Sequence, residues 1–197
     1  MKFKLLIVLL FISISIFGQS EREKFDKDYD QLLVSLMNEK WENAFNSSKE
    51  LRERINNEVE FEKEAEILNY IIIYATAGLM NEGKLTKEES LEKVKYLKGR
   101  TMILPSHPFN PECFTNCTHF SEDENYDFST IVNNANGTQI FCFESVKLKG
   151  ELKHTKEELT GKYIFLSGKL DEISVEGFSL PRFNLKFSEG EYTILER

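Results

Sequence analysis

Between residues 24 and 100 the apolar positions recur at three- and four-residue steps, and after residue 138 they recur at every second residue. This change of period divides the chain into a helical half and a strand half. Phe25, Tyr29, Leu32, Leu33, Leu36 and Met37 fall on one face of a helix predicted over about Lys24 to Asn38. Trp41, Ala44, Phe45, Ser48, Leu51 and Ile55 repeat the pattern for a second helix, and the break at Glu39-Lys40 folds the two antiparallel. A third helix, about Glu60 to Asn81, is apolar on more sides and is therefore expected to be buried on more than one. Gly83 tolerates the left-handed position that ends a helix. Thr86-Lys87-Glu88-Glu89 is a capping box opening a fourth helix, which carries Leu91, Val94 and Leu97 on one face. Glu58, Glu60, Glu62, Glu64 and Glu66 alternate, so on a helix they point to different faces and read as a solvated helix start rather than a cation site.

In the second half, Thr138 to Leu148 alternates as a strand, and Tyr163–Leu166, Asp171–Val175, Phe183–Phe187 and Tyr192–Leu195 are four further short strands. Gly161, Gly168, Gly177 and Gly190 read as punctuation between them. His154 to Thr160 is polar and suits one helical turn, while Asn136-Gly137 is a turn leading into the first strand. About five short strands in sixty residues predict a small antiparallel barrel. The expected class is α+β, with antiparallel helical hairpins at 19–104, a junction at 105–137 and the barrel at 138–197.

The junction concentrates the unusual chemistry. Pro105 to Cys142 holds all three cysteines, two of the three histidines and three of the four prolines. Pro108 and Pro111 deny helix and favour an extended path. His107, Cys113, Cys117 and His119 are the N and S donors that a zinc site would use, although Cys-x3-Cys-x-His is not a standard knuckle. In an oxidising compartment the preferred reading is instead a disulfide involving Cys113 or Cys117, with Cys142 on a strand as the natural long-range partner, and free buried thiols are the remaining alternative. A Cys–His nucleophile lacks an orienting third group and an oxyanion loop. Ser121 to Asp127 is acidic but lacks the spacing of a calcium loop and reads as exposed.

The N-terminal pattern points to a compartment, and net charge narrows the partners. Residues 1–18 combine Lys2 and Lys4 with an apolar run from Leu5 to Phe17 and a small Gly18, the pattern of a secretory signal peptide. That run is too short for a comfortable membrane span, and no transmembrane segment is expected after cleavage. The expectation is a periplasmic or secreted protein, and the Lys/Asn/Ile-rich composition resembles that of bacterial exported proteins. The net charge of -8 becomes -10 once Lys2 and Lys4 leave, which argues against broad binding to nucleic acid or anionic lipid. With 41% hydrophobic residues and 16 Phe the chain can bury a substantial core.

Two resemblances add expectations. Lys40-Trp41-Glu42-Asn43-Ala44-Phe45 resembles the start of the second helix of a tetratricopeptide repeat, in which a small Ala admits a neighbouring helix; this implies a concave face that binds a peptide or packs on the second half, the alternative being a plain four-helix layer. Leu159 to Leu170, with its Leu-x-Gly-Lys turn, apolar strand and bending Gly, resembles the early strands of an OB-fold domain of the anticodon-binding-like type. That resemblance implies an oligonucleotide or glycan binder, with Tyr163, Phe165, Phe183 and Phe187 available for stacking, although core packing suits those aromatics better. From Thr138 to Arg197, nine Lys/Arg stand against ten Asp/Glu, which does not favour nucleic acid. No acid, base and nucleophile set is present and no cofactor motif stands out. The leading expectation is a non-enzymatic exported protein that binds a protein or peptide partner. A metal- or redox-linked protein using the junction is the alternative, and an OB-like binder is the third.

Overall fold

A computed structural model describes residues 21–56 and 58–195 of the chain. The signal peptide expected at 1–18 lies outside them. Helix α1 spans 21–37. It ends in a Schellman motif in which Lys40 N–H donates to Ser35 O at 2.9 Å and Glu39 N–H to Leu36 O at 3.1 Å. Glu39 occupies the left-handed position of that motif, with φ 52°. Helix α2 (Trp41–Arg54) turns back against α1, and a 3₁₀ turn (Val59–Phe61) leads into α3 (Glu62–Asn81). Gly83 (φ 72°) closes α3 as expected, with Lys84 N–H donating to Leu79 O.

Helix α4 (Lys87–Val94) opens with the capping box, Thr86 Oγ1 accepting from Glu89 N–H and Glu89 Oε2 accepting from Thr86 N–H. Thr86→Ala is expected to lower stability by about 1 kcal/mol without changing the fold, readable as a shifted midpoint at constant slope in urea. The same device, Thr155 with Glu158, caps the short α5 (Lys156–Leu159), the helical turn expected there.

The chain belongs to the α+β class, with helices first and a seven-stranded mixed sheet after them. The strands are β1 (Thr101–Ile103), β2 (His107–Pro108), β3 (Thr118–Phe120), β4 (Phe128–Asn133), β5 (Ile140–Leu148), β6 (Tyr163–Glu176) and β7 (Arg182–Leu195). Their order is β1-β6-β7-β5-β4-β3, with β2 also paired to β6. An isolated bridge joins Phe109 to Thr118. The sheet is not wholly antiparallel, because β5 and β7 run parallel, Cys142 facing Phe183 and Val146 facing Phe187. Residues 105–137 supply three of the strands.

After residue 138 there are three long strands in place of five short ones. Gly168 and Gly190 lie inside the 14-residue β6 and β7 and do not interrupt them. The register shifts beside Gly168, between Ser167 and Lys169, so the strand bends there and continues. A Cβ on Gly190 would stand 2.5 Å from Val146 Cγ1, so that glycine is needed for close strand approach.

Helix α3 is buried on two sides, which explains its broad apolar surface. Leu68, Ile71 and Ala75 join Phe25, Leu32, Ala44, Leu51, Ile55 and Phe61 in a core shared with α1 and α2. Tyr70, Ile73 and Ala77 belong to the larger core formed with Met102, Phe141, Cys142, Leu166 and Leu185 of the sheet. Helix α3 is thus the middle layer, and the sheet packs directly on it. Phe183 and Phe187 are fully buried in that core and unavailable for stacking on a ligand. Among the described residues no helix is long and apolar enough to cross a membrane.

Candidate functional site

A cavity of about 430 Å³ opens where α1 and α3 diverge over the sheet. Tyr29, Leu33 and Leu36 on α1 fall four and three residues apart and present one face. Ile67, Tyr70, Ile71 and Tyr74 do the same on α3. The opposite wall comes from Ile103 to Pro105, His107, Val132 to Ala135 and Phe165. The volume lies in the range of small-ligand sites, and the lining is predominantly apolar and aromatic, as such sites usually are.

The apolar surface continues outside the cavity. Leu33 and Phe165 are partly exposed at its edge, and α1 also leaves Val34 at 56% and Met37 at 75% exposure.

The polar groups of the walls are held in place by the layers. Tyr74 Oη donates to Asn133 O at 3.0 Å, joining α3 to the end of β4. Glu39 Oε1 accepts from Asn134 Nδ2 at 2.9 Å and from Asn136 N–H at 3.1 Å, so the α1–α2 turn fixes the β4–β5 turn. Burial pushes the Tyr74 phenol well above its ordinary range. Two wall residues keep a buried polar atom without a hydrogen-bond partner, Nε2 of His107 and Oδ1 of Asn133. Burial lowers the His107 pKa against the pull of a hydrogen bond with the Asn116 main chain, so the ring is neutral near pH 7.

Behind the cavity Tyr70 Oη donates to Glu144 Oε1 at 2.5 Å. Glu144 is 2% exposed on β5, and its second oxygen, Oε2, has no partner. Burial pushes its carboxyl up to about 8, opposed by the Tyr70 hydrogen bond. Near pH 7 it is therefore largely protonated. Neighbouring Cys142 is a buried free thiol whose pKa burial raises well above the ordinary value, which makes it a poor nucleophile.

The junction residues do not converge on one point. Cys113 and Cys117 form a disulfide, so neither offers a thiolate, and the long-range partnership expected of Cys142 does not occur. His119 lies on β3 beside Ser129, outside the cavity lining, with a buried and unpartnered Nδ1. Among the described residues no group of three His, Cys, Asp or Glu side chains could hold a metal ion. Of the four residues His107, Cys113, Cys117 and His119, only His107 reaches the cavity. Of its companions there, those on α1 and α3 read in the sequence as ordinary core positions, Asn133 to Ala135 read as a turn, and Phe165 is one of the four aromatics available for stacking. The only signal marking the helical positions out is that the apolar stripe of α1 extends to Leu33, Val34 and Met37, more than one contact face needs.

Comparison with protein-family models, curated proteins and solved structures finds no match to this chain.

Proposed function

We propose that this is an exported, non-enzymatic binding protein whose cavity between α1, α3 and the sheet takes an apolar side chain of a peptide partner. The observation that carries the reading is the cavity together with its apolar margin. The enclosed part suits one or two bulky side chains, and the exposed Leu33, Val34 and Met37 extend the contact surface beyond it. That continuity favours a ligand longer than the cavity. With the ring neutral and its other nitrogen bonded to the Asn116 main chain, His107 Nε2 is an acceptor, and with Asn133 Oδ1 it offers two unpartnered acceptors in the wall to the main-chain N–H groups of a peptide. The N-terminal signal pattern and the Cys113–Cys117 disulfide support export.

Selection of a displayed random-peptide library on the purified protein tests the reading. Recovered peptides are expected to share a bulky apolar residue. A synthetic version should bind Leu33→Arg at least about tenfold more weakly, the loss of one well-packed anchor contact, with an unchanged Tm. Failure to enrich any sequence, or equal binding to Leu33→Arg, would overturn it.

A further inference from the structure

On the other side of α3 lies a smaller pocket, about 240 Å³, between α2, α3 and the segment that enters β1. It shares no residue with the apolar cavity. Lys49, Arg52 and Arg100 line it together with Asn56, Asn69 and Tyr96. The protein carries 33 acidic against 25 basic residues, so a local surplus of cations is unexpected. Neither Arg52 nor Arg100 forms an ion pair among the described residues, whereas Arg22 and Arg54 both do.

Arg52 is held by neutral groups. Its Nε donates to Asn69 Oδ1 at 3.0 Å and its Nη1 to Asn56 Oδ1 at 3.4 Å. Asn69 is itself buried, at 4% exposure, and is anchored by donating to Thr101 O at 3.1 Å. Arg52 is thus aligned by a rigid, neutral partner; Glu58, Glu62 and Glu66 line the adjoining pocket that Arg52 and Arg100 also border, but among the described residues none of them forms an ion pair with either arginine. Arg100 lies near enough for its charge, after burial, to lower the pKa of Arg52. One carboxylate, Glu53, also lines the pocket, and Lys49 engages it at 3.9 Å.

We propose that Arg52 and Arg100 form a binding site for an oxyanion ester, a phosphate or sulfate monoester, with Tyr96 beside it to cover the esterified group. Two guanidinium groups facing one pocket repel each other, and a tetrahedral oxyanion relieves that repulsion while accepting from Arg52 Nη2, the nitrogen its asparagine partners leave free, and from the fork of Arg100. Tyr96 is 52% exposed at the edge, where its ring offers a flat apolar surface. Asn69 acts as a positioning residue for Arg52.

Isothermal titration of the purified protein with inorganic phosphate, sulfate and acetate, each in a chloride background of matched ionic strength, tests the site. Saturable heat is expected with phosphate and sulfate, and the tighter of the two identifies the ester. The exposed Arg100→Gln should weaken that binding about tenfold at unchanged Tm, the loss of one charge-assisted contact. Arg52→Lys should weaken it too, because a lysine keeps the charge but loses the fork. No saturable heat with either tetrahedral anion, undiminished binding in Arg100→Gln, or acetate bound as tightly as both would overturn the proposal.

Discussion

Gly78→Ala is expected to destabilise the protein by about 2–3 kcal/mol, although alanine is the better helix former by about 1 kcal/mol. The reason is the indole of Trp41. A Cβ at position 78 would lie 2.6 Å from Trp41 Cε2 and closer still to its Cδ2 and Cγ. The ring has nowhere to retreat. It is 3% exposed and packs edge-on against Tyr74 and Phe141, with ring centroids at 5.6 and 5.1 Å. Helices α2 and α3 would have to separate, disturbing the contact between the helical layers and β5. Chemical denaturation of the single variant and of Gly78→Ala combined with Trp41→Leu checks the cause. The double variant should lose less than the sum of the two single losses, because the smaller side chain makes room for the methyl group. Strict additivity would mean that the indole is not what makes position 78 intolerant.

The second large effect is a fall in stability as the solution becomes more alkaline. Glu144 titrates near 8 in the folded protein and near its ordinary 4.5 when unfolded. Between those values the folded state holds a proton that the unfolded state has released. Unfolding therefore becomes easier by about 1.4 kcal/mol for each pH unit gained. The contribution is fully present below 4.5, is lost as pH rises through about 8, and is flat beyond. His107 and His119 work in the opposite sense, because burial depresses both and their neutral forms favour folding as pH rises towards 6.5. From pH 6.5 to 8 Glu144 by itself should remove about 2 kcal/mol, offset in part as the unfolded chain sheds its remaining His107 and His119 protons, and the Glu144→Gln comparison separates the two. Tyr70 and Cys142, both pushed well above their ordinary values, stay protonated throughout. Urea unfolding at pH 6.5 and 8 measures the difference. Glu144→Gln, which cannot ionise, should remove most of it, and an equally steep Gln variant would assign the slope to other groups.

The helical half was legible because its signals are local. The Thr86 capping box, the Gly83 stop and the spacing of Phe25, Leu32, Ala44 and Leu51 each involve residues within a few positions of one another. The sheet was less legible where strands are short. β1, β2 and β3 have two or three residues each, too few to display a period, and β2 itself contains Pro108. β4 alternates Phe128, Thr130 and Val132 inward, but its Ser and Thr disguise the pattern. Gly168 and Gly190 mimic turns because a glycine needed for close packing cannot be told from one needed for reversal until the neighbouring strand is known. The site was least legible of all. Its lining comes from α1, α3, β1, β2, β4 and β6, and nothing local marks Arg52 and Arg100 as neighbours; the alternation of β5 does set Glu144 on one face with Cys142 and Val146, but not which face is buried. His107 stood out by residue type, but the cysteines beside it in sequence turn to each other.

The place of β7 in the sheet bears on how the chain can be assembled in time. The last of the described strands lies between β6 and β5, so it joins the β1–β6 portion to the β5–β4–β3 portion. Until residues 182–195 are available, these portions have no hydrogen-bonded bridge through β7, and Phe183, Leu185 and Phe187 are missing from the shared core. The central pairing also spans a large sequence interval, a property that slows folding. The native sheet must therefore form late, after nearly the whole described chain is free.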